Sequence, residues 1–152
     1  MTQSSDSAAL RPASPATLAM LRLVLATKIL GTILFFCVPM LFLGEDDLRK
    51  LYGFGATPLL AARLIGGAYA ALIVGYAQGW IESGQGRFPG WVVAMGLVSN
   101  GGGVLLAVVA IVTRDIELAA LRPFGYAAIA FAASITLGLT ACLLLHRRRM
   151  RI

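Results

Sequence analysis

Two polar groups sit where an apolar chain has little use for them. Lys28 interrupts the run LRLVLATKILGTILFFC, and Ser99-Asn100 opens the triple glycine of LVSNGGGVLL, each with largely apolar residues on both sides. Ionisable and strongly polar side chains within a membrane are costly; they pair with one another or mark a site. Lys28 has Thr27, Gly31 and Thr32 as helical neighbours and lies about one and a half turns inside the end of its span. Gln78 and Glu82, one turn apart on a second span, approach the same depth. A cluster of Lys28, Gln78, Glu82 and Asn100 would form a polar pocket open to the cytoplasm. The simpler expectation is that Lys28 snorkels its ammonium to the headgroups. Asn100 shares a seam with Gly96, Gly103, Ala107 and Ala110, at the four-and-three spacing of a left-handed helix pair. Its expected role is a hydrogen bond across the bundle, worth ~0.6 to 2 kcal/mol.

The elements that must hold these groups follow from composition. Of 152 residues, 59% are hydrophobic and 13% charged, about half the charge of a typical soluble domain. Four apolar windows, 18–43, 58–81, 91–113 and 124–145, can each cross a hydrocarbon core of ~30 Å at 1.5 Å per residue. The expected fold is all-α: an integral membrane, antiparallel four-helix bundle over residues 18–146. Residues 1–17 read as a flexible cytoplasmic tail and 147–152 as a basic one. The first window is too long for a signal h-region, contains Lys28 and ends in LFLGEDD, so it is expected to be retained.

Charge placement sets the expected orientation. With both termini inside, the cytoplasmic face carries Arg11, Arg22, Arg87, Arg147, Arg148, Arg149 and Arg151. The other face takes Arg49, Lys50, Arg114 and Arg122, together with Glu45, Asp46, Asp47, Asp115 and Glu117. This bias predicts N-in, C-in topology, with Trp80 and Trp91 at the interface. The net charge of +6 gathers in the HRRRMR segment. There Arg147, Arg148, Arg149 and Arg151 would meet anionic headgroups at ~1 kcal/mol per residue. Nucleic acid is not the implied partner.

Other chemistry finds little support. His146 is the only histidine, so a single chain cannot supply bis-histidine haem ligation. No spacing matches a zinc site, a phosphate loop or a nucleophile elbow. No catalytic residue, metal or cofactor is expected. Cys37 and Cys142 differ in expected depth by ~17 Å, whereas a disulfide needs Cα atoms within about 7 Å. In the first loop, Asp46 or Asp47 is expected to cap a short helical turn, with Leu48, Leu51, Tyr52 and Phe54 resting on the membrane surface. Arg63 is expected to snorkel or to pair with Asp115 or Glu117.

The second span carries Gly67, Ala71, Gly75 and Gly79 every four residues, a ladder suited to close helix packing; Gly96 and Gly103 play that part on the third. The stretch holding Tyr52, Gly53, Arg63, Gly66, Gly67 and Gly75 resembles small DoxX-like four-helix bacterial membrane proteins, over about a third of the chain. The resemblance implies a four-helix fold and, for some members, quinone or thiol redox partners; this chain has no paired redox cysteines. The leading functional expectation is a non-enzymatic accessory or scaffold protein of the bacterial inner membrane that packs on a larger membrane partner, or on its own copies, through Gly/Ala faces. The alternative is a binder or carrier of a small lipophilic molecule, quinone or lipid, in a polar pocket within the bundle. A cavity on the Asn100 face would favour the second; a filled bundle with an exposed Gly ladder would favour the first.

Overall fold

A computed structural model describes residues 13–53, 58–113 and 121–150. They form five helices: α1 (Pro15–Phe42), α2 (Glu45–Tyr52), α3 (Leu59–Gly84), α4 (Gly90–Val112) and α5 (Pro123–Met150). No strand occurs among the described residues. Helices α1, α3, α4 and α5 are long and apolar enough to cross a membrane. The chain is an all-α, multi-pass membrane protein.

The helix ends extend past the expected windows, for local reasons. Ser14 caps α1, its Oγ accepting from the Thr17 amide at 3.0 Å, and Pro15 occupies the first turn. Proline is pre-set for that position and loses no hydrogen bond there. Residues 15–17 are therefore helical rather than part of a flexible tail. At the other end α5 runs on through Arg147, Arg148 and Arg149 to Met150. Cations in a last turn are favoured by the helix dipole, so this basic segment is helical as well. Arg11 and Arg151 lie outside the described residues.

Helix α1 packs against both α3 and α5, and α4 closes on α5 mostly through its first half. The tightest core lies toward the end that holds Ser14 and Met150. There Leu21, Leu25, Tyr76, Val92, Leu139 and Cys142 are fully buried. A second cluster toward α2 joins Leu48, Tyr52, Ala62 and Ala128. Beyond Gly102, by contrast, α4 buries no residue, and its Leu105, Leu106, Val109 and Val112 are exposed. In a membrane these face lipid.

Two wide turns of π-helix interrupt the long helices, at Ile33–Cys37 in α1 and Leu97–Gly101 in α4. The first precedes Pro39, which has no N–H to give the carbonyl of Phe35. In hydrocarbon an unpaired carbonyl costs several kcal/mol. The Tyr52 hydroxyl donates to that carbonyl instead. Burial, with Tyr69 adding to it, raises the Tyr52 hydroxyl above its ordinary pKa, so it stays a donor at working pH. A second orphan, the Met40 carbonyl at the end of α1, accepts from Arg63 Nη1 at 2.7 Å. Arg63 is thus spent on a backbone cap; Asp115 and Glu117 lie outside the described residues. A Cβ on Gly66 would come within 2.9 Å of Leu41, so the glycine lets α3 approach α1 at this point.

Helix α2 also departs from expectation. Its N-cap is Gly44, without a side-chain bond, and Glu45, Asp46 and Asp47 fill the first turn with Arg49 and Lys50 in the last. Both groups suit the helix dipole. The ion pair of Arg49 with Glu45, 3.5 Å long, is exposed and adds little. Leu48 and Tyr52 turn into the bundle instead of resting on its surface. Gly53, at φ 80°, ends α2 in the left-handed conformation that glycine adopts without strain. Phe54 lies outside the described residues.

The carbonyl cap yields a test. Tyr52→Phe should destabilise the protein by ~1 to 3 kcal/mol, the cost of leaving a buried carbonyl unpaired. Adding Pro39→Ala restores an amide donor to the same carbonyl and should recover a good part of that loss. Thermal unfolding in a mild detergent measures both; strictly additive losses would show that the hydroxyl and the missing amide serve different acceptors.

Candidate functional site

Lys28 lies about 20 Å along α1 from Pro15, near the middle of the span, and is 1% exposed. At that depth its side chain does not reach the headgroups. The snorkelling expectation placed it too close to the helix end. Its Nζ donates instead to Asn100 Oδ1 at 2.5 Å. Because an ammonium can only donate, this contact fixes which end of the amide faces it.

The other end of the Asn100 amide donates to the Gly96 carbonyl at 2.7 Å and to Ser99 Oγ at 3.3 Å. Ser99 Oγ also donates to the Gly96 carbonyl at 3.3 Å and shares a 2.8 Å hydrogen bond with the Tyr76 hydroxyl. The π turn Leu97–Gly101 brings Ser99 and Asn100 inward together. Close packing keeps this turn in place. A Cβ on Gly96 would fall 2.5 Å from Leu139, so α4 and α5 touch where the network is anchored.

Four aromatic rings surround the ammonium. Their centroids lie 6.0 Å (Phe36), 5.9 Å (Tyr69), 5.5 Å (Tyr76) and 5.6 Å (Phe131) from Nζ. Each such ring face is worth about 0.5 to 2 kcal/mol to a cation. Gly31 admits one of them, since a Cβ there would run into the Phe131 ring. Asn100 is the one hydrogen-bond partner of Lys28 among the described residues. Ion pairs among those residues are confined to α2, so no carboxylate balances the buried charge. One turn further, the Thr32 hydroxyl is fully buried and without a partner.

Asn100 also floors a cavity of about 180 Å³. Phe36, Tyr69 and Ser99 share the floor, while Gly103 and Ala107 of α4 and Ala132 of α5 line the walls. The lining is mostly apolar, and the cavity is partly open.

The four residues expected to form one pocket separate into two pairs. Lys28 and Asn100 meet. Gln78 and Glu82 bond to each other at 3.4 Å on the exposed side of α3, because Gln78 turns away from α1. The small-residue ladder divides too. Gly75 lies against Met95 and Gly79 against Val92, where added Cβ atoms would fall 2.9 Å and 2.7 Å from them. Gly67 has nothing around it, Ala71 is exposed, and Gly103 opens to the cavity. The π turn explains Gly103: the inserted residue breaks the four-and-three seam after Asn100. Near the chain ends, His146 stacks on Phe88 at 4.0 Å and Arg22 lies 4.5 Å over Trp80. Cys37 and Cys142 are free, buried thiols. Arg147, Arg148 and Arg149 are exposed.

Sequence reasoning missed the aromatic cage. Tyr69 and Tyr76, two turns apart on one face of α3, were the available signal. Comparison of the chain with family models, with curated proteins and with solved structures finds no match.

A double-mutant cycle tests the buried pair. Asn100→Ala strands the ammonium and should cost ~3 to 5 kcal/mol. Lys28→Met leaves an amide oxygen unpaired and should cost less, ~1 to 3 kcal/mol. With both changes the protein should be more stable than Asn100→Ala alone. Unfolding of the four proteins in detergent gives the coupling; additive costs would mean that the two side chains do not depend on each other.

Proposed function

We propose that this protein is a non-enzymatic binder or carrier of a small lipophilic molecule, taken up from the membrane into the cavity beside Asn100. The cavity itself carries the reading. Apolar walls with a few convergent polar groups are the usual form of a small-molecule site, and here the half of α4 that lines the cavity buries no residue. The ligand class is a quinone or a lipid; of the two, the resemblance to DoxX-like proteins bears only on the quinone. Ser99 and Asn100 supply the polar end of the site, with Lys28 behind Asn100, while Gln78 and Glu82 take no part.

A second reading rests on a separate observation. Gly67 and Ala71 leave a small-residue face of α3 uncovered. Such a face suits close packing by a larger membrane partner or another copy, and an accessory role of that kind is compatible with ligand binding. We place the protein in a bacterial inner membrane with both termini in the cytoplasm and Arg147, Arg148 and Arg149 beside anionic headgroups. Arg22 and Arg87 support this orientation by the excess of positive charge inside.

Two measurements bear on the proposal. Gly103→Leu would project a side chain into the cavity, where no atom lies within 4 Å of the added Cβ. Lipophiles co-purifying with the native protein should then fall below a tenth of their amount, while the two proteins stripped of lipophile melt alike; equal amounts would remove the cavity from the reading. For orientation, an alkaline phosphatase fusion within residues 45–53 should be active and one after Ile152 inactive. The reverse pattern would turn the protein over.

A further inference from the structure

The polar network around Lys28 holds more donors than acceptors. The ammonium brings three N–H groups and meets one acceptor, Asn100 Oδ1, at 2.5 Å. The Thr32 hydroxyl, one turn away and fully buried, has no partner. The Tyr69 hydroxyl makes no hydrogen bond among the described residues, although its ring stacks on Phe36 at 4.5 Å and lines the cavity. Buried polar groups are nearly always satisfied, and a buried charge calls for an opposite one. Among the described residues the side chains supply neither.

We propose that the cavity selects a lipophilic anion, a long-chain carboxylate, over neutral molecules of the same shape. The inference rests on the ligand-binding reading above and names its ligand class. The carboxylate would lie on the cavity floor, accepting from the Tyr69 hydroxyl within the field of the Lys28 ammonium just behind Asn100. The hydrocarbon chain would follow Gly103 and Ala107 outward along α4, between apolar walls. Depth argues against a phospholipid, whose headgroup belongs at the membrane surface while the floor lies near mid-span. Size argues the same way, since about 180 Å³ suits a compact head with one chain. A neutral quinone could accept from Tyr69, but it would gain only an ion–dipole interaction from Lys28. In a medium of low dielectric a full charge gains far more.

The test uses the whole chain in nanodiscs of neutral lipid, with thermal unfolding followed as oleate, methyl oleate or decylubiquinone is added. A ligand that binds the folded state raises the midpoint with concentration. Oleate should half-saturate this rise at a concentration about tenfold or more below the other two, a ratio equivalent to ~1.4 kcal/mol. In Lys28→Met the advantage of oleate over its methyl ester should vanish, and in Tyr69→Phe it should shrink. Equal half-saturation by oleate and methyl oleate, or a better quinone, overturns charge selection while lipophile binding stands. No saturable rise with any of the three overturns both readings. An advantage undiminished in Lys28→Met would overturn the role of the ammonium; if that variant does not fold, the native comparison and Tyr69→Phe decide.

Discussion

The ammonium of Lys28 is held near the middle of the span, where water is not at hand, and its surroundings act as a partial replacement for hydration. Asn100 gives one strong acceptor, and four aromatic faces spread the remaining stabilisation over the shell. Each contributor makes its own demand on the backbone. Asn100 must turn inward with Ser99, which the π turn in α4 permits. Phe131 must come close to α1, which Gly31 permits. Tyr76 must remain fully buried, tied to Ser99. The position of one charge therefore fixes details on all four spanning helices.

At the other end of the bundle the organising constraint is the backbone carbonyl. Pro39 deprives Phe35 of its donor, and the end of α1 leaves Met40 without one. Tyr52 and Arg63 reach in from α2 and α3 to supply both. The carbonyl of Tyr52 in turn accepts from the Arg122 amide at 3.2 Å, and Gly125 leaves room for that approach. Helix α2 is thus a clasp joining α1 to α5, built because hydrocarbon leaves no carbonyl to be satisfied by water. This gives Tyr52, Gly53, Arg63 and Gly66 a structural task that needs no catalytic explanation.

The four spanning helices were legible from the length of their apolar windows, a signal that the bilayer makes strong. Their ends were less so, because Ser14-Pro15 reads as a disordered, proline-containing tail until its capping geometry is considered. The meeting of Lys28 and Asn100 was within reach of spacing arguments. Its depth was misjudged, and with it the snorkelling expectation and the inclusion of Gln78 and Glu82. The π turns were not legible at all. Periodicity arguments assume one uniform twist, so the seam Gly96, Asn100, Gly103, Ala107 was drawn as a single contact line. In the folded chain it is two: Gly96 against Leu139, and Gly103 with Ala107 along a cavity.

That break in the seam also accounts for the cavity. Had α4 kept a regular twist, its small residues would have continued along α5 and the space beside Asn100 would have closed, as small-residue seams do in lipid. The extra residue at Leu97–Gly101 instead turns Gly103 and Ala107 away from contact, and the second half of α4 buries nothing. The same turn carries Ser99 and Asn100, which line that space. One local distortion thus both holds the partner of the buried cation in place and makes the space through which a ligand would reach it. A polar residue serving only to join two helices requires no such space beside it, and closure would bury more surface. On the proposed reading, the bundle is left open at this point for the ligand that it takes.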